Sequence, residues 1–331
     1  MAETEQLVLT TSRAFLVFIG LGLAAWMDHK ERRVPNDHWV RWGKPAIFIW
    51  AFEILLNDGN IAILLTASAV VAYASGSVFG RPTIQDLKAG SKVDAFVFLW
   101  YIVSFVGVVW GAILYQSTNI IDVITGQAEE LAAMWWQTLG LLFVMILIDL
   151  AWRFRLLHGG ADAKALMWVS LMFPTWASIE LFQIIDESSI SLTLPPSFSL
   201  LMWGAMVFLL IPVYMLIRNF SHKNISSISD LRLAWHSTMI PIDEVEKRHV
   251  WMLTKIIVGG DGEKKIHHAS RAPKFTPSID EVKSQVAELR EMGVDRVWIS
   301  FKIPLLVFLF PALVPLMLLG DPTGLLLSEL L

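Results

Sequence analysis

The chain of 331 residues contains no cysteine. Disulfides, thiolate nucleophiles and cysteine-ligated zinc or iron–sulfur centres are therefore excluded. Charge is also scarce: Asp, Glu, Lys and Arg together make up 17% of the residues, where a soluble globular chain carries about a quarter. What replaces them is apolar, at 55%, with 15 tryptophans. These apolar residues come in blocks rather than on periodic faces. Several blocks approach the ~20 residues a helix needs to cross roughly 30 Å of hydrocarbon. A soluble enzyme, a disordered chain and a coiled coil are ruled out, and the composition describes an all-α polytopic membrane protein. The first six residues, Met-Ala-Glu-Thr-Glu-Gln, are acidic where a cleavable secretory leader would be basic.

Eight apolar runs lie between charged loops, at 8–27, 44–57, 61–79, 94–115, 135–152, 165–185, 198–217 and 303–320. The second is short and interrupted by Lys44, Pro45 and Glu53, so the expectation is six to eight transmembrane helices. The basic residues favour eight. Of 26 Lys and Arg, 24 fall in four segments, 28–44, 80–93, 153–164 and 218–300, which eight alternating spans place on one side. Only Arg13 and Lys302 are left over. Opposite loops carry Asn57-Asp58-Gly59-Asn60, then Asp122 with Glu129 and Glu130, then Asp186-Glu187. By the positive-inside rule the basic loops are cytoplasmic and both termini lie outside.

Segment 218–300 is the one stretch of ordinary soluble composition, and it divides the chain into three. A transmembrane domain over 1–217 supplies about seven helices, 218–300 forms a small cytoplasmic α/β insert, and 301–331 is a final transmembrane helix with a short tail. Ser278 and Glu281 make a capping box in front of Val282, Val286 and Leu289, which predicts a helix ending near Gly293. Residues 294–300 read as an extended segment leading into the membrane at Pro304.

Ionisable side chains in or beside a membrane span are costly, so they are the first candidates for chemistry. Asp28 ends the first span. Asp162 follows Gly159 and Gly160 just before the sixth. Four spans separate them, an even number, so both carboxylates return to the same edge of the membrane and are able to meet. Two carboxylates close together cannot both ionise easily, and the pair shares a proton. Aspartic peptidases use that arrangement: the ionised partner takes a proton from water while the protonated one polarises the scissile carbonyl. The paired glycines permit a tight turn and a close approach. Lys164 could tune the pair's charge or bind a substrate carbonyl.

Asp28 with the basic stretch and Val34-Pro35-Asn36 after it, followed by Gly159-Gly160-Ala161-Asp162-Ala163-Lys164, resembles the two signatures of the type IV prepilin peptidases. These are GxGD membrane aspartic proteases whose archaeal members include the pre-archaellin, or preflagellin, peptidases. Phe173-Pro174-Thr175 in the following helix and Trp298-Ile299-Ser300 leading to Lys302-Ile303-Pro304 also look archaeal. The resemblance covers much of the membrane part and little of the insert. It implies a hydrolase of the plasma membrane with Asp28 and Asp162 as the catalytic pair at the cytoplasmic face. Gly159, Gly160, Lys164, Pro35 and Asn36 would support substrate or site. Its substrates would be pilin-like or archaellin-like precursors, cut between a short basic leader and a hydrophobic helix. No metal or organic cofactor is implied. Ala161 departs from the bacterial second glycine, four spans rather than two separate the aspartates, and the four-cysteine segment of many bacterial members is missing, so methylation is not expected.

Plainer readings stand beside these. Asp28 could pair with His29, Lys30 or Arg32, Asp162 could be a helix N-cap, and Pro35-Asn36 could be a turn between helices. Asp94, two spans after Asp28, is the rival second aspartate and reads as an N-cap. Asp149 is expected to pair with Arg153 four residues on, and Glu53 and Glu180 to lie near the outer face without a role. His267-His268 reads as a solvated loop rather than a metal site, and the tryptophans as interfacial belts. Basic residues in 218–300 alternate with acids, which argues against nucleic acid. The rival classes are a presenilin-like intramembrane protease and a proton-coupled transporter. A transporter would place its carboxylates near the midplane, often among repeats, and the chain shows no repeat.

Overall fold

The computed structural model describes residues 3–184, 193–258, 263–273 and 277–328. Asp186-Glu187 of the third acidic loop lies outside them. The helices are α1 (Glu3–Glu31), α2 (Asn36–Leu56), α3 (Ile61–Phe79), α4 (Ile84–Lys88), α5 (Lys92–Leu114), α6 (Ile120–Ile124), α7 (Glu130–Arg153) and α8 (Gly160–Met172), then α9 (Pro196–Phe208), α10 (Leu210–Ser221), α11 (Ile228–Ala234), α12 (Ile279–Glu291), α13 (Leu306–Leu319) and α14 (Pro322–Ser328). Five strands, β1 (Thr238–Pro241), β2 (Val250–Met252), β3 (Thr254–Val258), β4 (Lys264–His268) and β5 (Arg296–Phe301), fall between α11 and α13. Two compact units result: residues 1–205 with 304–331, and Met206–Ile303.

Five helical segments are long and apolar enough to cross a membrane: Thr4–Glu31, α3, α5, α7 and the run Pro196–Ser221. The protein is membrane-embedded and mainly helical. In α5 the residues turned inward are Ser104, Gly107 and Gly111, while Phe96, Phe105 and Ile113 point outward. That inversion suits lipid, where helices associate through small residues that let backbones approach. A Cβ at Gly107 would lie 2.1 Å from Leu65 Cβ, and one at Gly111 would lie 2.0 Å from Trp135 Nε1. Hydrogen bonds add to this contact, from Trp135 Nε1 to Thr66 Oγ1 at 3.1 Å and from Trp100 Nε1 to Ser68 Oγ at 2.7 Å.

Three of the eight apolar runs form helices of other kinds. α2 starts eight residues before its run, at Asn36, and carries Asp37, Arg41, Lys44 and Glu53. α13 has 14 residues with Pro311 and Pro315 inside it. α8 has 13 and stops at Met172, well short of residue 185. Pro174 is the cause: its ring disfavours the helical region for the residue before it, and Phe173 accordingly sits at φ −122°, ψ 74°. Phe173-Pro174-Thr175 thus ends the helix rather than lying within it. Two short 3-10 turns follow, Trp176–Ser178 and Glu180–Phe182. In the same way Pro212, without an N–H for the Phe208 carbonyl, accounts for the break at Leu209 between α9 and α10.

Arg13 is fully buried, and its guanidinium meets both oxygens of Glu53 at 2.9 and 2.6 Å, joining α1 to α2. Glu53 therefore has a structural role that its position in the sequence did not suggest. It also lines a polar cavity of about 250 Å³ with Asn57, Gln137, Thr138 and Thr175. At the end of α13, buried Asp321 accepts from the Leu194 amide at 3.0 Å and from Ser199 Oγ at 2.8 Å.

In the second unit β5 is central, antiparallel to β1 (Thr238 opposite Ile299) and to β2 (Val250 opposite Phe301). β3 and β4 form a separate antiparallel pair. The period of two along β5 sends Val297 and Ile299 into a core with Val286 and Leu289 of α12, and Trp298 into one with Leu233, Ala234 and Leu253. Ser278 caps α12 through the expected box with Glu281, and Gly293 takes a φ of 74° just beyond its end. His267 and His268 lie on β4 rather than in a loop, and His268 Nδ1 is 3.1 Å from Thr254 Oγ1.

Gly111→Val should destabilise the protein in detergent by about 1–3 kcal/mol, the usual cost of overpacking, because the Trp135 ring has no room to yield. Gly140→Ala on α7, where a Cβ meets nothing within 4 Å, is the control and should leave unfolding unchanged. Equal stability of Gly111→Val would show that α5 and α7 are not in this contact.

Candidate active site

Asp28 stands in the last turn of α1, buried, and the chain reverses just after it. The Arg32 amide donates to the Asp28 carbonyl at 3.0 Å, and Arg32 takes a left-handed φ of 57°. Pro35, whose ring fixes φ near the observed −66°, occupies the N-cap of α2, and Asn36 opens that helix. The turn reading of Pro35-Asn36 is correct as local geometry. Among the described residues Asp28 forms no ion pair. Lys30 lies over the Trp26 ring instead, 5.0 Å from its centroid. Arg32 is the positive charge that acts on Asp28, without contact, and its Nε is buried with no hydrogen-bond partner among the described residues.

Asp162 is the third residue of α8, whose N-cap is Gly159. The N-cap reading of Asp162 is therefore corrected: its carboxylate reaches back and accepts from the Gly159 amide, as the acidic half of a capping box does. This explains the first glycine, since a Cβ at 159 would lie 2.4 Å from Asp162 Oδ2. The second has another reason. A Cβ at Gly160 would approach the Trp152 ring of α7 to 3.1 Å.

Asp162 precedes the apolar part of α8, and its carboxyl is pushed up to about 7. Burial is the larger cause, and the negative charge of Asp28 is the second; the Gly159 amide opposes both. Residues 134 positions apart in sequence are thus brought within electrostatic range, and the charge of one disfavours ionisation of the other.

The supporting residues form a brace. Lys164 Nζ donates to Asn36 Oδ1 at 2.7 Å, and Asn36 Nδ2 donates to the Val78 carbonyl at 2.8 Å, so one side chain joins α2, α8 and the end of α3. Lys164 is held by Asn36 and forms no ion pair among the described residues. It borders an apolar cleft of about 270 Å³ between α2, α3 and α8 that continues past Gly43, Val71 and Met167.

Tryptophan, expected at interfaces, builds the interior here. Trp168 of α8 is buried, donates from Nε1 to the Trp42 carbonyl at 2.9 Å, and fills the notch at Gly20 of α1, where a Cβ would meet its ring at 2.6 Å. Buried His38 of α2 places Nε2 3.0 Å from the Gly20 carbonyl. Neither Trp168, His38 nor Gly20 stands out in the sequence.

The rival carboxylates fall elsewhere. Asp94 is the third residue of α5, and Ser91 caps that helix, accepting from the Asp94 amide at 3.3 Å. Asp149 pairs with Arg153 at 2.9 Å as expected, and the same Oδ2 also accepts from Arg81 and Tyr73, each at 2.8 Å. Among the described residues no cluster of three His, Asp or Glu side chains has the geometry to hold a metal.

Replacing Asp28 by Asn removes a negative neighbour, so the Asp162 midpoint should fall from about 7 toward the ordinary carboxylate range, without reaching it because burial remains. Infrared titration of carboxyl-labelled protein reads this directly, and an unmoved midpoint would show that the two groups do not face each other. Gly159→Ala should displace the Asp162 carboxylate and shift the same midpoint, while Gly160→Ala, which meets a ring edge on α7, should move it little. The opposite order would remove the packing reason given for the first glycine.

The chain matches no protein-family model, no curated protein and no solved structure.

Proposed function

We propose that the protein is a membrane-embedded aspartic endopeptidase that removes the short basic leader from type IV pilin-like or archaellin-like precursors. The observation that carries this reading is the buried Asp162 carboxyl, held near neutrality by burial and by Asp28. A carboxyl that titrates near the working pH can give and take a proton in one cycle. Burial favours the protonated form of both aspartates, Arg32 opposes it at Asp28, and the charge of Asp28 adds to it at Asp162, so in this reading Asp28 is the base and Asp162 the acid. Asp28 takes a proton from water as the oxygen attacks the scissile carbonyl, and Asp162 gives its proton to the carbonyl oxygen. Collapse of the tetrahedral intermediate returns that proton to Asp162, while Asp28 passes its own to the leaving amine. Water is added across one peptide bond and the pair is restored.

The eight-span topology belongs to the same reading. α2, α8 with its following turns, and α13 complete the set, both termini lie outside, and the aspartates sit at the cytoplasmic edge of the plasma membrane. A charged leader remains there while the helix after it enters the bilayer. The apolar cleft beside Lys164 gives that helix's first turns a place to lie, and the 218–300 insert faces the cytoplasm.

The test is cleavage of a synthetic precursor, a basic leader ending in Gly followed by an apolar helix, in detergent or liposomes. Wild type should cut at the leader junction, and Asp28→Asn and Asp162→Asn should each reduce the rate by at least the 10²–10⁴-fold typical of losing an acid–base group. Retained activity in either folded variant would remove it from the catalytic pair. If folded wild type cuts no precursor but carries protons across liposomes, the aspartates belong to a transporter.

A further inference from the structure

The unit Met206–Ile303 carries an apolar surface that neither its own core nor the proposed peptidase chemistry uses. On α10 the buried residues are Met215 and Asn219, and the outward stripe is Val213, Tyr214, Ile217 and Phe220, as expected for the end of a lipid-facing span. Seven residues after Ser221 the chain enters α11, which is amphipathic in an unusual way. Its inner face, Leu233 and Ala234, packs on Leu253 and Trp298. Its outer face carries Ile228 and Leu231, continued by Trp235 at its C-cap, at i, i+3 and i+7, exposed by 81%, 45% and 53%. A helix apolar on both faces has a second partner.

The rest of the surface fits lipid. α11 follows directly on a lipid-facing helix, and buried Asn219 of α10 fixes the two together: Asn219 donates to the Ala234 and Ser237 carbonyls at 2.8 and 2.7 Å and accepts from Thr238 Oγ1 at 2.9 Å. The Trp235 indole N–H is satisfied inside the helix by the Arg232 carbonyl at 2.8 Å, so its ring needs no polar partner outside. Arg232, four residues after Ile228 on the helix, and Lys223, in the turn before α11, are both exposed, whereas the carboxylate of Asp230 accepts from the Ser226 and Ser227 amides. A cationic edge beside aliphatic and indole side chains is the pattern of helices that lie in the headgroup region of anionic bilayers.

We infer that α11 is an in-plane membrane anchor, with Ile228, Leu231 and Trp235 in the boundary between headgroups and acyl chains and Arg232 and Lys223 at the phosphates. It holds the Met206–Ile303 unit against the membrane where α10 emerges, and this does not depend on the peptidase reading. The cysteine-free chain allows a direct test. Single spin labels at Ile228→Cys, Leu231→Cys, Trp235→Cys and Ser229→Cys are placed on the full protein in phosphatidylcholine–phosphatidylglycerol liposomes. The first three should collide several-fold more with oxygen, relative to a water-soluble nickel complex, than the label at Ser229, and the contrast should shrink without the anionic lipid. Equal nickel accessibility at all four sites would overturn the anchor. Spin–spin broadening at Ile228 and Leu231 that disappears on dilution with unlabelled protein would overturn it too, in favour of a second copy of the chain. Because these positions are exposed, the fold is checked independently by unchanged tryptophan fluorescence of the Ile228→Cys and Leu231→Cys proteins.

Discussion

Trp168 is the contact on which the arrangement of the membrane unit turns. Its ring occupies the notch left by Gly20 on α1, and its indole proton goes to the Trp42 carbonyl on α2. Three helices from distant parts of the chain are fixed at one point. The last turn of α1 and the first turn of α8 then have little freedom to separate. In lipid, where burying apolar surface does not drive helices together, van der Waals fit and interhelical hydrogen bonds of this kind carry the association. Asp28 lies on one of the helices joined there and Asp162 on another.

The other buried charges of the membrane unit show what is unusual about that pair. Arg13 has Glu53, Asp149 has three donors on one oxygen, and Asp321 is wrapped by amide and hydroxyl donors. Each is paired as costly intramembrane charges require, with only the Arg13 Nε left without a partner among the described residues. The aspartate pair is satisfied only in part: Asp162 has one backbone amide, and Asp28 feels Arg32 from outside contact distance. A buried carboxyl without a full set of partners stabilises little by itself. It keeps its capacity to exchange a proton.

Much of this was legible in order along the chain. Gly159-Gly160 ahead of Asp162 marks a close approach, Ser278 with Glu281 marks the start of α12, and the spacing of Asp149 and Arg153 marks their pair. What escaped was lateral. Lys164 and Asn36 are 128 residues apart, and nothing local in either distinguishes an interhelical bond from an ordinary interfacial charge. Arg81 and Tyr73 on Asp149 are hidden for the same reason. Trp168 was masked by base composition, because tryptophan in a membrane protein is expected at the interface and a core tryptophan carries no separate mark. The early end of α8 is different: Pro174 was in view, and a long apolar run was given more weight than a proline that stops a helix.

That early end limits how far α8 reaches. Thirteen helical residues rise about 20 Å, against roughly 30 Å of hydrocarbon. Beyond Met172 the chain continues as short turns beside the polar cavity lined by Glu53, Asn57, Gln137 and Thr138. The residues on either side of the turn that lines this cavity, Phe173 and Ile179, are fully buried, so packed side chains rather than helical backbone fill the length that α8 leaves uncovered.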